Sequence, residues 1–455
     1  MSFFAANFLR FCIRPLAVCC ITISLVGQTG SAVQQKTSYQ QDFDYYWQVV
    51  CDDFAYFDGH ERKRSDWEKV RAFYTDKAAN VTTRAELVRL LESANNELFN
   101  GHITLNVNLS SSNRIIPSGA DLWAEPDKDH FVIADVREGF NAAQSGLKSG
   151  MVLKTFNGEP IDVAAKRFLP LSVSSYSPTM YEYALNMLLS GSHNTPRMIG
   201  VLVNGNLVLF RPDESPNRTD TPYSTLLSSR ILPSGVGYIK IHNSLGNTDL
   251  IKSFDQALDA MLKTRGLILD LRETPSGGNT TVARGILGRF VTKELPYQKI
   301  AYPDELRLYG VERTELDLVS PRAKQYINPV VVLVGRWTGS VGEGLTIGFD
   351  STQRAEIVGT KMAGLLGAVC SYQLPVSKIG FSIPCQQTLQ VNGKPREDFV
   401  PSRSVPPGRD AIFFAEESLL SCGGWNSSSQ QLGLEPIFEF LLRSHLRKRL
   451  ADQHF

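Results

Sequence analysis

Residues 328–350 read NPVVVLVGRWTGSVGEGLTIGFD, and the order of residue types in this stretch decides the fold. The run Val330–Val334 has the length and composition of a strand buried on both faces. Gly335 opens it into a turn, and Gly339, Gly342 and Gly344 let the backbone bend sharply and approach a neighbour closely. The apolar residues that follow suit a helix packed on the sheet. Ser340 therefore stands at a strand-to-helix turn, where the amides of a helix N-terminus can stabilise an oxyanion, and it is a candidate nucleophile. The plainer reading is a serine that caps the helix.

Outward from this stretch the same alternation continues. From about residue 230, GVGYIKI, GLILDL, NPVVVLV and AEIVG read as strands, and TDLIKSFDQALDAMLK and TTVARGILGRF read as helices between them. Apolar strands alternating with amphipathic helices predict an α/β fold with a largely parallel sheet, in which ligands sit beyond the carboxyl ends of the strands. Two glycine-rich turns fall at such ends, ETPSGGNT (273–280) and the Ser340 turn. Upstream, FVIADV, MVLKTFNGEPI and VLVNGNLVLF predict a compact β-rich region over roughly 115–215, with VNGN as a hairpin. SGADLWAEPDKDHF and RPDESPNRTDTP read as polar boundaries. Residues about 40–110 carry apolar side chains at helical spacing and threonine caps, which predicts a small helical layer.

Composition sets limits. The chain has 455 residues, 42% hydrophobic and 20% charged, and a formal net charge of +1. That balance carries no electrostatic footprint for a nucleic-acid partner. At the start, Arg10 and Arg14 precede an apolar run that ends in small residues at Gly30-Ser31-Ala32. This predicts a signal peptide over 1–32 and an exported mature protein, periplasmic or secreted, with no stable membrane span. Cys51, Cys370, Cys385 and Cys422 follow it. Cys370 and Cys385 flank a segment that alternates like two strands and form the first pair to consider for a disulfide, with buried free thiols as the alternative. No cysteine or histidine pair has zinc spacing.

A nucleophilic serine needs a base. Of the histidines, His60, His130, His193, His445 and His454 lie in loops, at a strand start or in the terminal tail. His102 in LFNGHITL follows a glycine where helix passes to strand, and His242 ends a core strand. Position alone makes each a structural residue before it makes it a catalytic one.

Taken together, GVGYIKIHNS, LILDLRETPSGGN, TGSVGEG, RAEIVGTKMAG and GKPRED resemble, in order and spacing, the carboxy-terminal-processing serine peptidases, and within them the tricorn-like branch. The resemblance implies a crotonase-like catalytic core at 223–412, preceded by an N-terminal helical region at 33–112 and a PDZ-like domain at 113–222, and followed by a helical tail at 413–455. It also implies the chemistry. The processing branch uses a serine–lysine dyad, and Leu365 occupies the lysine position here. Tricorn-like enzymes take a histidine from a DGH-like turn and a glutamate from a late GK..E segment, which match His102, with Asn100 in the place of aspartate, and Glu397. The implied site is Ser340 as nucleophile, His102 as base and Glu397 as orienting acid. The amide of Val341 and one from Gly277 or Gly278 are the oxyanion donors. Peptides or unfolded proteins are the implied substrates, with no cofactor or metal. Lys361 as an alternative base, and a binding protein that keeps the fold without the chemistry, are the competing expectations.

Overall fold

A computed structural model describes residues 38–57, 61–214, 224–406 and 408–421. The expected leader, His60, Cys422 and the tail with His445 and His454 lie outside the described residues.

The chain opens with helices α1 (Ser38–Asp53), α2 (Arg64–Ala79) and α3 (Arg84–Asn96). Thr83 starts α3 with a capping box: its hydroxyl accepts from the Glu86 amide at 3.2 Å and the Glu86 carboxylate accepts from the Thr83 amide at 3.0 Å. Phe43, Tyr46, Trp67 and Tyr74 close the helical layer around a buried aromatic cluster. Beyond α3 the chain turns through Gly101 and His102 into the two-residue strand β1 (Thr104–Leu105).

A six-stranded sheet follows, built from β2 (Leu122–Asp127), β3 (His130–Val136), helix α4 (Asn141–Ser145), β4 (Val152–Phe156), β5 (Glu159–Pro160), helices α5 (Ile161–Ala165) and α6 (Pro178–Ser190), β6 (Ile199–Val203) and β7 (Asn206–Phe210). Its order is β2-β3-β4-β6-β7, with β5 on β4. Asn204 and Gly205 take φ of 51° and 80° to close the β6–β7 hairpin, the left-handed pair that an Asn-Gly turn supplies. One expectation is corrected: SGADLWAEPDKDHF is not a boundary. Leu122, Trp123 and Ala124 are buried in β2, and only its second half turns polar and exposed. An edge strand with one end in solvent reads like a linker when its polar end is weighed alone.

The remaining chain forms two sheets. In order come β8 (Leu227–Ile231), β9 (Gly237–Ile241), α7 (Asp249–Asp259), β10 (Leu267–Asp270), α8 (Thr280–Leu287), β11 (Leu295–Ala301), α9 (Pro303–Tyr309), β12 (Thr314–Val319), β13 (Val330–Val334), α10 (Val341–Ser351), β14 (Glu356–Gly359), β15 (Ala368–Gln373), β16 (Gly380–Leu389) and α11 (Ala411–Ser421). The central sheet runs β14-β13-β10-β9-β8. All its pairs are parallel except the edge pair β8–β9. Every residue of β13 is buried, and each such aliphatic side chain contributes about 1.5–3 kcal/mol relative to exposure. The second sheet runs β1-β16-β11-β12 with β15 on β16. Its β11 and β12 were not among the strands expected. It links β1, just past His102, to the strands on which Cys370 and Cys385 form a disulfide with Cα atoms 5.7 Å apart. Cys51 is a free, half-buried thiol. No helix among the described residues is long and apolar enough to cross a membrane.

Candidate active site

Parallel strands β10 and β13 end side by side, so their glycine-rich turns run side by side as well. Thr274 and Thr338 form a parallel bridge, and the Gly339 amide donates to the Thr274 carbonyl at 3.2 Å. Ser340 lies directly beyond this clasp at the N-cap of α10, with φ 52° and ψ −111°. A non-glycine residue at positive φ is strained, and here the surrounding bonds impose it. Gly277, itself at φ 64°, faces it so closely that a Cβ there would lie 2.4 Å from the Ser340 Cβ, 2.9 Å from its Oγ and 3.1 Å from the Val341 nitrogen. Only glycine leaves this space open. The two glycines of the facing turn differ in what their amides do. Gly277 donates to the Thr274 carbonyl at 3.2 Å. The amides of Gly278 and Val341 make no hydrogen bond among the described residues. Gly278 is wedged against the Leu245 carbonyl, where a Cβ would meet the oxygen at 2.2 Å.

His102 is placed by backbone groups. Its Nδ1 lies 2.6 Å from the Leu366 carbonyl oxygen. A carbonyl only accepts, so Nδ1 carries the proton and Nε2 is left as the acceptor, the atom a general base uses. Burial lowers the imidazole pKa to about 4, opposed by backbone bonds to Leu366 and, more weakly, Gly367, and reinforced by Arg396. The ring is neutral at physiological pH.

The segment that presents Leu366 is held at each residue. Ala363 donates to the Thr338 carbonyl at 3.0 Å. One oxygen of Glu343 accepts from the amides of Gly364 and Leu365 at 2.9 and 3.3 Å, and the other accepts from the Ser340 amide at 2.7 Å. Arg396 donates to the carbonyls of Leu365 and Gly367 at 2.7 and 3.2 Å and stands 3.8 Å from Glu343. Asn100 donates to the Gly364 carbonyl at 3.1 Å and accepts from the amides of His102 and Leu366 at 3.0 and 3.3 Å. Complete burial pushes the Glu343 carboxyl up to about 7, against the pull of Arg396 and of the Ser340 amide.

Glu397 is not hydrogen-bonded to the imidazole, because the Nδ1 position is taken by Leu366. It lines a cavity of about 610 Å³ together with Asn100, Gly101, Lys361, Gly364 and Leu366. Its buried Oε2 has no partner among the described residues, and burial raises its pKa. Lys361 is exposed at the same cavity. Leu365 packs its methyls towards Gly339 and Gly101, where Cβ atoms would meet them at 3.1 and 3.2 Å. The ring of His242 bonds to Thr225 and Ser228 beside β8, and His130 pairs with Asp127. The sequence reading therefore missed Glu343, Arg396 and the Leu366 carbonyl. Glu343 had a legible signal, because Ser340-Val341-Gly342-Glu343 has the S-x-x-E spacing of a capping box. The other two had none. Among the described residues no cluster of histidine, cysteine or carboxylate side chains could hold a metal.

A serine at a strained strand-to-helix turn on a mixed α/β fold has the features of a nucleophile site. Residues 235–398 match the family model described as Peptidase family S41, and residues 35–94 match the Tricorn protease C1 domain. No curated protein matches the chain. Among solved structures, a photosystem II D1 C-terminal processing protease is similar at 18% identity, covering 82% of this chain and 94% of that one with a TM-score of 0.51. Mature CPAF is similar at 14% identity, covering 85% and 96%, with a TM-score of 0.56. The resemblance read from the motifs, to the tricorn-like carboxy-terminal-processing peptidases, thus rests on two family models, and the neighbours share the mixed α/β fold.

Proposed function

We propose that the protein is a serine peptidase that cleaves peptide bonds in exported or envelope proteins through an acyl-enzyme. Ser340 attacks the carbonyl carbon and passes its proton to Nε2 of His102. The imidazolium then gives that proton to the leaving amine, and water repeats the cycle on the ester. The oxyanion falls to the amides of Val341 and Gly278, since the Gly277 amide is spent on its own turn. Glu397 is the acid of the set. It acts from the cavity wall, on substrate or through the segment around Leu366, without touching the ring. No cofactor enters the cycle. The core is crotonase-like, the six-stranded sheet domain is PDZ-like, and the leader directs export.

The observation that carries this reading is Ser340 at positive φ on the N-terminus of a buried helix, with Gly277 against its Oγ and, among the described residues, unpaired amides on Val341 next to it and on Gly278 in the facing turn. Lys361 is not favoured as base, because it stands four residues before the position that aligns with the dyad lysine and is exposed at the cavity. The test is cleavage of unfolded casein by the mature chain beside Ser340→Ala, His102→Ala and Lys361→Ala, with folding checked by circular dichroism. The expected result is loss of turnover by about 10⁴-fold or more in the first two variants and none in the third. Retained cleavage by Ser340→Ala rejects the assignment.

A further inference from the structure

Taking His102 as the base, the open question is what orients its ring. In Ser-His-acid sites a carboxylate accepts a hydrogen bond from Nδ1–H. Here Nδ1–H donates instead to the backbone carbonyl of Leu366, and among the described residues no carboxylate is bonded to the imidazole. A backbone carbonyl is only as well aimed as the segment that carries it. This one lies in a stretch without regular secondary structure between β14 and β15.

We infer that Asn100 is a positioning residue that ties the His102 turn to residues 364–366, so that the Leu366 carbonyl, in place of a carboxylate, orients the imidazole. Asn100 is two residues before His102 in sequence, and its side chain reaches across to a segment 264 residues away. Its amide nitrogen donates to the Gly364 carbonyl, while its oxygen accepts from both the His102 and the Leu366 amides. That combination needs a side chain that donates at one end and accepts at the other. Asparagine supplies both and an ionised aspartate only the second, which accounts for the amide where the related turn carries aspartate. The geometry is local to the base: one side chain fixes the backbone of His102 and of the residue that holds its ring.

The consequence is electrostatic. A carboxylate on Nδ1 would stabilise the imidazolium and raise its pKa, whereas a neutral carbonyl does so much less. The charged and titratable groups around the imidazole and the segment that holds it are Arg396, Glu343, Glu397 and Tyr56. Of these the Arg396 cation acts on the ring charge to charge, and it disfavours the imidazolium. The base should remain competent well into the acid range.

The experiment is the rate of covalent labelling of Ser340 by a fluorophosphonate across pH, for the mature chain and for Asn100→Ala, Asn100→Asp, Glu397→Gln and His102→Ala. The parent is expected to label with an acid limb near pH 4. Glu397→Gln keeps that limb, and its loss of rate is smaller than that of Asn100→Ala. Asn100→Ala slows labelling about ten- to a hundredfold as the ring loses its aim, and its limb moves down, because the Leu366 bond that supports the protonated ring is weakened. Asn100→Asp, which keeps the acceptor and loses the donor, falls between. If Glu397→Gln instead loses labelling as His102→Ala does, a carboxylate orients the ring and the inference is wrong. It is equally wrong if both Asn100 variants keep the parent's limb and rate. Labelling of His102→Ala at the parent's rate would overturn the base assignment itself and the inference with it, and that outcome is distinct from both.

Discussion

The nucleophile and the base are held in opposite ways. Ser340 is fixed by neighbours in sequence and by a parallel strand next to its own: the β13 end, the Thr274–Thr338 bridge and a glycine across the gap. His102 is fixed by partners gathered from distant parts of the chain, namely Asn100 on its own turn, Glu343 on α10, the Gly364–Leu366 segment and Arg396 beyond β16. One side is set by backbone conformation, the other by hydrogen bonds between side chains and loop backbone. A fault on the first side should abolish chemistry in a fold that still forms. A fault on the second should loosen the fold around the base while leaving the Ser340 turn in place.

The largest effect that would break this contrast is at Gly277. Alanine there would place its Cβ 2.4 Å from the Ser340 Cβ and adopt φ 64°, both unfavourable. The expected outcome for Gly277→Ala is a fall in kcat of about 10²–10³-fold, together with roughly 1–3 kcal/mol of destabilisation from the backbone strain. Steady-state kinetics and urea unfolding would measure both. Activity within threefold of the parent would mean that the Ser340 side tolerates displacement and is not rigidly set.

Next in size is Arg396, on the base side. Its guanidinium, buried at 4% exposure, serves two carbonyls of the segment that carries Leu366 and stands against Glu343. Arg396→Met leaves two carbonyls and a buried carboxyl without their cation, which should cost about 3–5 kcal/mol. Urea unfolding would register that loss. If the two sides are as separate as the geometry implies, hydrogen exchange should rise at Gly364–Gly367 and stay unchanged at Thr338–Val341.

The same division explains what was legible in the sequence. Val330–Val334 followed by GRWTGSVGEG is a local pattern, and strand, turn and serine could all be read from it, whereas the role of the facing glycines in ETPSGGNT came from the family resemblance. His102 stood out only through the likeness of its turn to a family motif, because a single histidine after a glycine has no periodicity to betray it. Leu366 could not be found at all, since it acts through its carbonyl and every residue has one. Glu397 illustrates the converse: a motif match singles out a residue type, but its bonding depends on where the chain brings it, and here that is the cavity wall. The strand β11 escaped because LPYQKIA alternates weakly, β12 went unread although TELDLV alternates, with Leu316 and Leu318 turned to the exposed face, and the sheet they join is assembled from segments as far apart as β1 and β16.

The smallest expected effect lies at Glu343, the one side chain that touches both regions. Its carboxyl is raised from 4.5 to about 7 by burial. An acid whose pKa is higher in the folded than in the unfolded chain binds its proton more tightly when folded. Its stabilising contribution is therefore complete below about pH 4.5 and declines as pH rises through 7. Glu343→Gln removes this titration. The glutamine oxygen can still accept from Gly364 and Leu365, but its amide nitrogen then meets the Ser340 amide, one lost bond of about 1 kcal/mol. Unfolding free energies measured from pH 4.5 to 8 should fall with pH more steeply in the parent than in the variant. Parallel curves would show that Glu343 stays ionised throughout, held so by Arg396 and the three amides. The bridge between nucleophile and base would then be a permanent ion pair, and Arg396 would belong to the Ser340 side as much as to that of His102.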